Sequence, residues 1–261
     1  MKKTLFILFV SLSFNHLFGQ VKNPLDDGRK IKIPVIFHVI YTDSSENIND
    51  SLIMNELQDL NLDFSATNSM ALLDNDFRNL VGNPNIEFVL FDTSLQGIVI
   101  KGVQRISAKT LKNINALLIN PVNCVNVFVA DQGNASDILS DRVNLNYEDV
   151  GTHSHVLTHE TGHWLGLYHI FGQIGKSSWW NVTFGNHDDL VDDTPLQNRA
   201  SAICYSITPS CPCPPVNTYY KGHKTMYNNF MDYNPCRCMF SVEQSILMRN
   251  NIIEHKKALF Q

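Results

Sequence analysis

The chain has 261 residues, of which 44% are hydrophobic and 17% are charged, and these proportions are typical of one globular domain or one domain with two lobes. Its net charge of -5 and its pI near 6.0 provide no attraction to nucleic acid or to anionic membranes. No basic run, internal repeat or phosphate-binding glycine loop is present. We therefore expect a monomer that binds no nucleic acid and does not insert into a membrane.

Residues 1–19 have the features of a signal peptide. Two lysines follow the first Met, and residues 5–14 form an apolar run that is too short to span a bilayer. Gly19 is a small residue in front of a suitable cleavage position at Gln20. We expect a secreted protein, extracellular or periplasmic, and a membrane anchor is the alternative interpretation of this segment.

The hydrophobic pattern predicts strands and helices up to about residue 165 and an irregular region after it. Residues 20–30 are polar and are expected to be a flexible lead-in. The predicted strands are 31–41, 86–91, 125–130 and 143–147, with a short edge strand at Ala135–Leu139. The predicted helices are 49–64, 111–119, 154–165 and 241–260, the last with a capping box at Ser241 and Gln244.

The segment 159–169 has the spacing H-E-x-x-H-x-x-G-x-x-H. His159 and His163 are four residues apart, so a helix places both imidazoles on one face, where they can reach one metal ion. Glu160 points to the side of the same ion and can take a proton from a water molecule. Gly166 allows the sharp turn that would bring His169 back as a third ligand. Three nitrogen ligands and one open position are typical of catalytic zinc.

Five of the six cysteines lie in the last third of the chain: Cys204, Cys211, Cys213, Cys236 and Cys238. In an oxidising compartment we expect them to form disulfides, with two bridges between the 204–213 loop and the 236–238 loop. A structural zinc site formed by the two C-x-C pairs is the alternative, although zinc ligands are usually separated by two or more residues. Cys124 stands apart and is predicted to be a buried free thiol.

The zinc motif, followed by Asn229-Phe230-Met231-Asp232-Tyr233, resembles the metzincin zinc peptidases. The longer string HETGHWLGLYHIF, with Asp192-Asp193-Thr194-Pro195 and NFMDY, is similar to the pappalysin family within them, over roughly residues 31–250. The resemblance implies an α+β, two-lobed catalytic domain at 31–261. Its upper lobe, about 31–166, would hold a twisted, mostly parallel sheet with helices above the cleft. Its lower lobe, about 167–261, would be irregular, disulfide-linked and closed by a C-terminal helix.

The resemblance also implies roles for particular residues. Met231 would form the hydrophobic floor under the zinc, and Tyr233 would hydrogen-bond the developing oxyanion. Asp189, Asp193 and Thr194 match a region that binds calcium in pappalysin-like enzymes. A substrate peptide would bind in an extended cleft as an added strand beside Ala135–Leu139.

These observations predict a secreted zinc endopeptidase in which Glu160 is the general base. A non-catalytic zinc-containing binding module of the same fold is the alternative, and a peptidase of narrow specificity is a third hypothesis.

Two features depart from the family. Only about ten residues separate the expected cleavage position from the first strand, so a long inhibitory pro-segment is not expected. Some relatives select Lys or Arg after the cleaved bond through an acidic residue beyond Tyr233, and this chain has Arg237 there and no acid.

Overall fold

The computed structural model describes residues 20–95, 98–172, 188–201 and 218–260, without the side chains of 93–95 and 98–100. The strands are β1 Ile31–Tyr41, β2 Val81–Gly82, β3 Ile86–Leu90, β4 Thr93–Leu95, β5 Ile98–Ile100, β6 Val103–Ser107, β7 Val125–Ala130, β8 Val143–Asn146, β9 Tyr219–Tyr220, β10 His223–Lys224 and β11 Phe240–Ser241. The helices are α1 Asp50–Phe64, α2 Val156–Trp164 and α3 Val242–His255. In the described ranges, every helix is too short or too polar to cross a membrane.

A five-stranded parallel sheet is built around β1. One edge of β1 pairs with β3 and then with β6, and its other edge pairs with β7, which in turn pairs with β8. Residues 35–40 of β1 are all buried, because both faces of the sheet are covered, and this explains the continuous apolar run in the sequence. The predicted α+β class with a mostly parallel sheet is confirmed.

Two residues of β1 are unusual in a central strand. The backbone N–H groups of odd-numbered residues in β1 point toward β3 and β6. The nitrogens of even-numbered residues, including Pro34, therefore face β7, and pairing with β7 begins only at Val35. The missing N–H of this proline therefore costs no ladder bond. His38 is buried, and its ring nitrogens lie 3.1 Å from Gln104 Oε1 and 3.1 Å from Asn126 Oδ1. It is a core histidine whose hydrogen bonds are satisfied.

Helix α1 packs one face on the sheet and on α2. Its apolar period places Ile53, Leu57, Leu60 and Phe64 in the hydrophobic core. The Asn49 side chain caps the helix by accepting a hydrogen bond from the Leu52 N–H at 3.1 Å. The predicted bounds of 49–64 are therefore correct to within one residue.

Helix α2 carries most of the zinc motif and ends in a Schellman turn. The Gly166 N–H donates to the His163 carbonyl at 2.8 Å, and the Leu167 N–H donates to the Gly162 carbonyl at 2.9 Å. Gly166 has φ +98°, in the region that favours glycine. The chain therefore turns sharply after one glycine and continues toward His169.

Residues 20–30 are held against α3, which contradicts the flexible lead-in expected from their polarity. Arg249 donates from Nε to Asp26 Oδ2 at 2.8 Å and is bonded to Oδ1 through Nη2, and both side chains are buried. The Asn23 N–H donates to Asn250 Oδ1 at 2.9 Å. The partners are more than 200 residues away along the chain, which is why a local reading of the segment missed them.

Two predicted elements are wrong. Residues 135–139 form no strand: Ala135 makes a single antiparallel bridge with Asn144, and the chain then turns, with Leu139 at φ 52°. The Ser136 and Ser140 hydroxyls both donate to the Arg142 carbonyl, and these local bonds compete with an extended edge. The predicted helix at 111–119 is one 3-10 turn at Ile114–Leu117.

The cysteines follow the prediction in part. Cys236 is disulfide-bonded, which also opposes the cysteine zinc site, whereas Cys204, Cys211 and Cys213 lie outside the described residues. Cys238 is a free thiol and not a disulfide partner, because its side chain belongs to the hydrophobic core. Cys124 is a buried free thiol, as predicted. Burial raises the pKa of both free thiols to about 12, so neither is reactive at neutral pH.

We predict that Gly166→Ala lowers the free energy of unfolding by about 2 kcal/mol or more, because the residue would adopt a left-handed conformation. The added Cβ would also lie 2.1 Å from Asn251 Nδ2, which donates to the Leu165 carbonyl. Chemical denaturation measures the change. The matched control is Gly222→Ala, where φ is +84° but no atom lies within 4 Å of the added Cβ. Equal losses in the two variants would show that the contact with Asn251 contributes nothing.

Candidate metal and catalytic site

Three imidazoles converge where the sequence predicted a metal site. His169 Nε2 lies 3.2 Å from His159 Nε2 and 3.0 Å from His163 Nε2. In the part of the chain that the structure describes, these three residues are the one group of His, Cys, Asp or Glu side chains close enough together to hold an ion. The Schellman turn at Gly166 allows this, since it reverses the chain between the second and third histidines.

Backbone carbonyls set the tautomer of two of these rings. His159 Nδ1 lies 2.7 Å from the Phe230 carbonyl oxygen, and His163 Nδ1 lies 2.7 Å from the Leu167 carbonyl oxygen. A carbonyl only accepts, so each Nδ1 carries the proton and each Nε2 presents a lone pair. Nitrogen ligands of tetrahedral zinc stand about 3.3 Å apart at the usual Zn–N distance, close to the separations seen here.

The histidines are held in the neutral form that a metal requires. Burial lowers the pKa of His159 and His163, and it lowers the pKa of His169 to about 3. The positive charge of Arg237 lowers the pKa of His159 further. Neutral imidazoles with lone pairs directed at one point are a fitting donor set for Zn2+.

Glu160 lies beside the histidine cluster and makes no salt bridge among the described residues. Its side chain is buried, and burial raises its pKa to about 8. The charge of Arg237 and a hydrogen bond from the Ser136 N–H act in the opposite direction and favour the carboxylate. A carboxyl group poised in this way can both accept and release a proton near neutral pH.

The turn that contains Met231 lies directly under α2. Met231 is fully buried, and a Cβ added at Gly162 of the zinc helix would lie 2.6 Å from its sulfur. Asn229 holds the turn: its Oδ1 accepts from the Met231 N–H at 2.9 Å, and its Nδ2 donates to Gln244 Oε1 at 2.7 Å. The sequence identified Gln244 as a helix cap, but nothing in its local pattern indicated the bond to Asn229.

Tyr233 reaches the histidine cluster from the side open to solvent. Its hydroxyl lies 2.8 Å from His169 Nε2, and its side chain is about half exposed. Burial of the remaining part and the nearby charge of Glu160 raise the pKa of the phenol, so it stays a hydrogen-bond donor at neutral pH. The structure thus places Tyr233 next to the predicted ligands.

A cavity of about 630 Å³ opens beside Glu160 and Tyr233. Arg237 and Asp149 contribute to its wall. The cavity gives a substrate access to the side of the histidine cluster on which the carboxylate lies.

The residues predicted to bind calcium lie together near the start of α3. Both oxygens of Asp193 accept hydrogen bonds, from the Ser241 hydroxyl at 2.5 Å and from the Glu243 N–H at 2.9 Å. Asp189 Oδ1 accepts from the Thr194 hydroxyl at 2.6 Å, and Asp189 Oδ2 is buried without a partner among the described residues. Asp193 therefore caps α3, and calcium binding stays a prediction that no observation tests.

A peptidase family model and several extracellular metalloproteases are similar in sequence to this chain. The family model "Peptidase_M43: Pregnancy-associated plasma protein-A" matches residues 128–253, which include the zinc motif and the Met231 turn. An extracellular metalloprotease of Arthroderma benhamiae is 26% identical over 224 residues, which are 80% of this chain and 67% of that protein. An extracellular metalloprotease of Neurospora crassa is 43% identical over 84 residues, which are 32% of this chain and 24% of that protein.

Solved structures share the fold over most of the chain. A mutant of Tannerella forsythia promirolysin has a TM-score of 0.71 and 27% identity, with 92% of this chain and 86% of that chain covered. Mature mirolysin in complex with a cleaved peptide has a TM-score of 0.67 and 27% identity, with coverage of 89% and 98%. The motif, the fold and these relatives identify the chain as a metalloendopeptidase whose residues 128–253 match the pappalysin family model.

Proposed function

We propose that this protein is an exported zinc endopeptidase that cleaves peptide bonds in extended protein segments, with Glu160 as the general base. The observation that carries the proposal is the convergence of three histidine Nε2 atoms next to a buried carboxylate at an open cavity. His159, His163 and His169 would hold the ion. The alternative of a non-catalytic zinc module gains no support, because no described side chain closes the access to the cluster on the Glu160 side.

A zinc ion held by His159, His163 and His169 would polarise the peptide carbonyl, lower the pKa of a water molecule and favour the ionised form of Glu160. Glu160 takes a proton from the attacking water and passes it to the leaving amine. The Tyr233 hydroxyl donates a hydrogen bond to the carbonyl oxygen as that oxygen becomes negatively charged. Met231 supports the floor of the site through its contact with α2.

We place the substrate between residues 134–136 and the groups on α2. The N–H and the carbonyl of Ala135 both form hydrogen bonds with the backbone of Asn144. The backbone groups of residues 134 and 136 therefore face away from the sheet. The Ser136 N–H bonds to Glu160, so this outer edge is directed at the proposed centre. An extended peptide added along the edge would bring one of its carbonyls next to Glu160. Mature mirolysin, which has a similar fold, was solved in complex with a cleaved peptide, and this supports a peptide as the substrate.

Export is supported by the basic start and apolar run of residues 1–19 and by the relatives that are named extracellular metalloproteases.

We predict that Glu160→Gln reduces cleavage of casein by on the order of 10³-fold, because the water loses its base. The bound zinc should remain at one ion per chain, since Glu160 is not a ligand. Activity with and without a chelator and zinc content by atomic emission measure the two effects. Glu254→Gln, an exposed carboxyl group on α3, is the matched control. Full activity of Glu160→Gln would disprove the assignment, and zinc binding without chelator-sensitive cleavage by the natural sequence would support the non-catalytic module.

We predict that Tyr233→Phe lowers kcat by on the order of 10²-fold, which is typical for removal of one donor to an oxyanion. Zinc affinity should stay the same, because the three imidazoles remain. Steady-state kinetics on one peptide and a zinc titration measure these quantities. Tyr219→Phe removes a hydroxyl from an exposed tyrosine and serves as the control. An unchanged kcat in Tyr233→Phe would exclude the phenol from the reaction.

We predict that the protein recovered from the medium of an expressing bacterium begins at Gln20. Mass spectrometry of the N-terminal peptide tests this, and it also detects the cyclised form that N-terminal glutamine produces. Protein that remains with the cells and keeps residues 1–19 would instead support the membrane anchor.

A further inference from the structure

A positive charge in the wall of the cavity beside Glu160 has no part in the proposed reaction. Arg237 donates from Nη2 to the Ser154 carbonyl at 2.8 Å and from Nη1 to the Asp232 carbonyl at 3.2 Å. Its Nε is buried and has no hydrogen-bond partner among the described residues. Among the described residues, two of its five N–H groups are therefore used, and both donate to neutral carbonyl oxygens.

The guanidinium makes no direct ion pair within the described ranges, where both of its hydrogen-bond acceptors are backbone carbonyls. The carboxyl groups of Asp232, Glu160 and Asp63 act on it through their charge but do not bond to it. A largely buried cation without a paired carboxylate is energetically costly, so such a group is expected to bind an anion when one is offered. Asp149 lines the same cavity, but its carboxylate accepts the Asn134 side-chain amide at 2.6 Å.

Arg237 acts on the groups at which the reaction would occur. Its side chain lines the same cavity as Glu160 and His159. A substrate side chain that reaches Arg237 therefore belongs to a residue next to the cleaved bond. Glu160 lines this cavity and gives its proton to the leaving amine. The substrate residue that supplies the amine therefore lies at the cavity that Glu160 and Arg237 share.

We propose that Arg237 determines specificity and selects substrates with Asp or Glu as the residue that supplies the leaving amine. A carboxylate entering the cavity can bind the free N–H groups of the guanidinium in the two-point geometry that arginine favours. A lysine or arginine in the same position would meet a like charge in a partly buried site. This inference rests on the proposed function.

The test uses quenched fluorescent peptides that differ at that residue alone: Glu, Gln, Asp, Asn and Lys. The other residues of these peptides are chosen from a cleavage profile of a proteome-derived peptide library, which is measured with the unmutated protein. We expect kcat/KM for Glu to exceed that for Gln by about ten-fold or more, as is typical of hydrogen bonds to a charged group. Lys should be the poorest substrate. Arg237→Gln should bring the Glu-to-Gln ratio close to one, and Arg237→Lys should keep part of it.

Arg78→Gln, an exposed arginine outside the cavity, is the matched control and should keep the ratio of the natural sequence. The ratio between two substrates of one variant is insensitive to partial unfolding, and Arg237→Lys decides the question if Arg237→Gln does not fold. A natural profile without acidic preference, or the same ratio in Arg237→Gln, would overturn the inference. If no library peptide is cleaved in a chelator-sensitive way, the proposed function itself fails.

Discussion

Two hydrogen bonds from imidazole N–H groups to backbone carbonyls decide what this centre can do. They link His159 to Phe230 and His163 to Leu167, and they direct both Nε2 lone pairs to one point. Without them the rings could rotate or change tautomer, and buried neutral histidines would be unsatisfied polar groups. The carbonyls come from the Met231 turn and from the segment after Gly166, so the metal site depends on the shape of both.

The Met231 turn is in turn held by the start of α3. Gln244 Oε1 accepts from the Ser241 N–H at 3.0 Å and from Asn229 Nδ2, so one side chain closes the capping box and positions the turn. Asp193 bonds to the same end of the helix. Asp193, which the resemblance linked to a second metal, thus helps to stabilise the helix start that holds the Met231 turn.

The parts of the fold that depend on local sequence could be predicted, and the parts that depend on distant contacts could not. β1 and α1 have strong periodicity and clear caps, and the spacing of the zinc motif brings its histidines together through one helix and one glycine turn. Ala135–Leu139 was assigned as a strand although serine hydroxyls turn the chain there. The environment of Cys238 is set by core packing that no spacing rule describes. Arg237 was visible in the sequence only as a departure from relatives, because its exposure to the cavity depends on Ser154 and Asp232.

The pairing of Asp26 with Arg249 joins positions 223 residues apart, and His159 takes its carbonyl from a residue 71 positions further on. A nascent chain that has grown only as far as its zinc motif therefore lacks the carbonyl that orients His159, and its leading segment has no helix to bind. The order of synthesis thus delays assembly of the centre until nearly all of the polypeptide has emerged. During that interval the sheet and α1 can form, but the growing protein has no organised metal site.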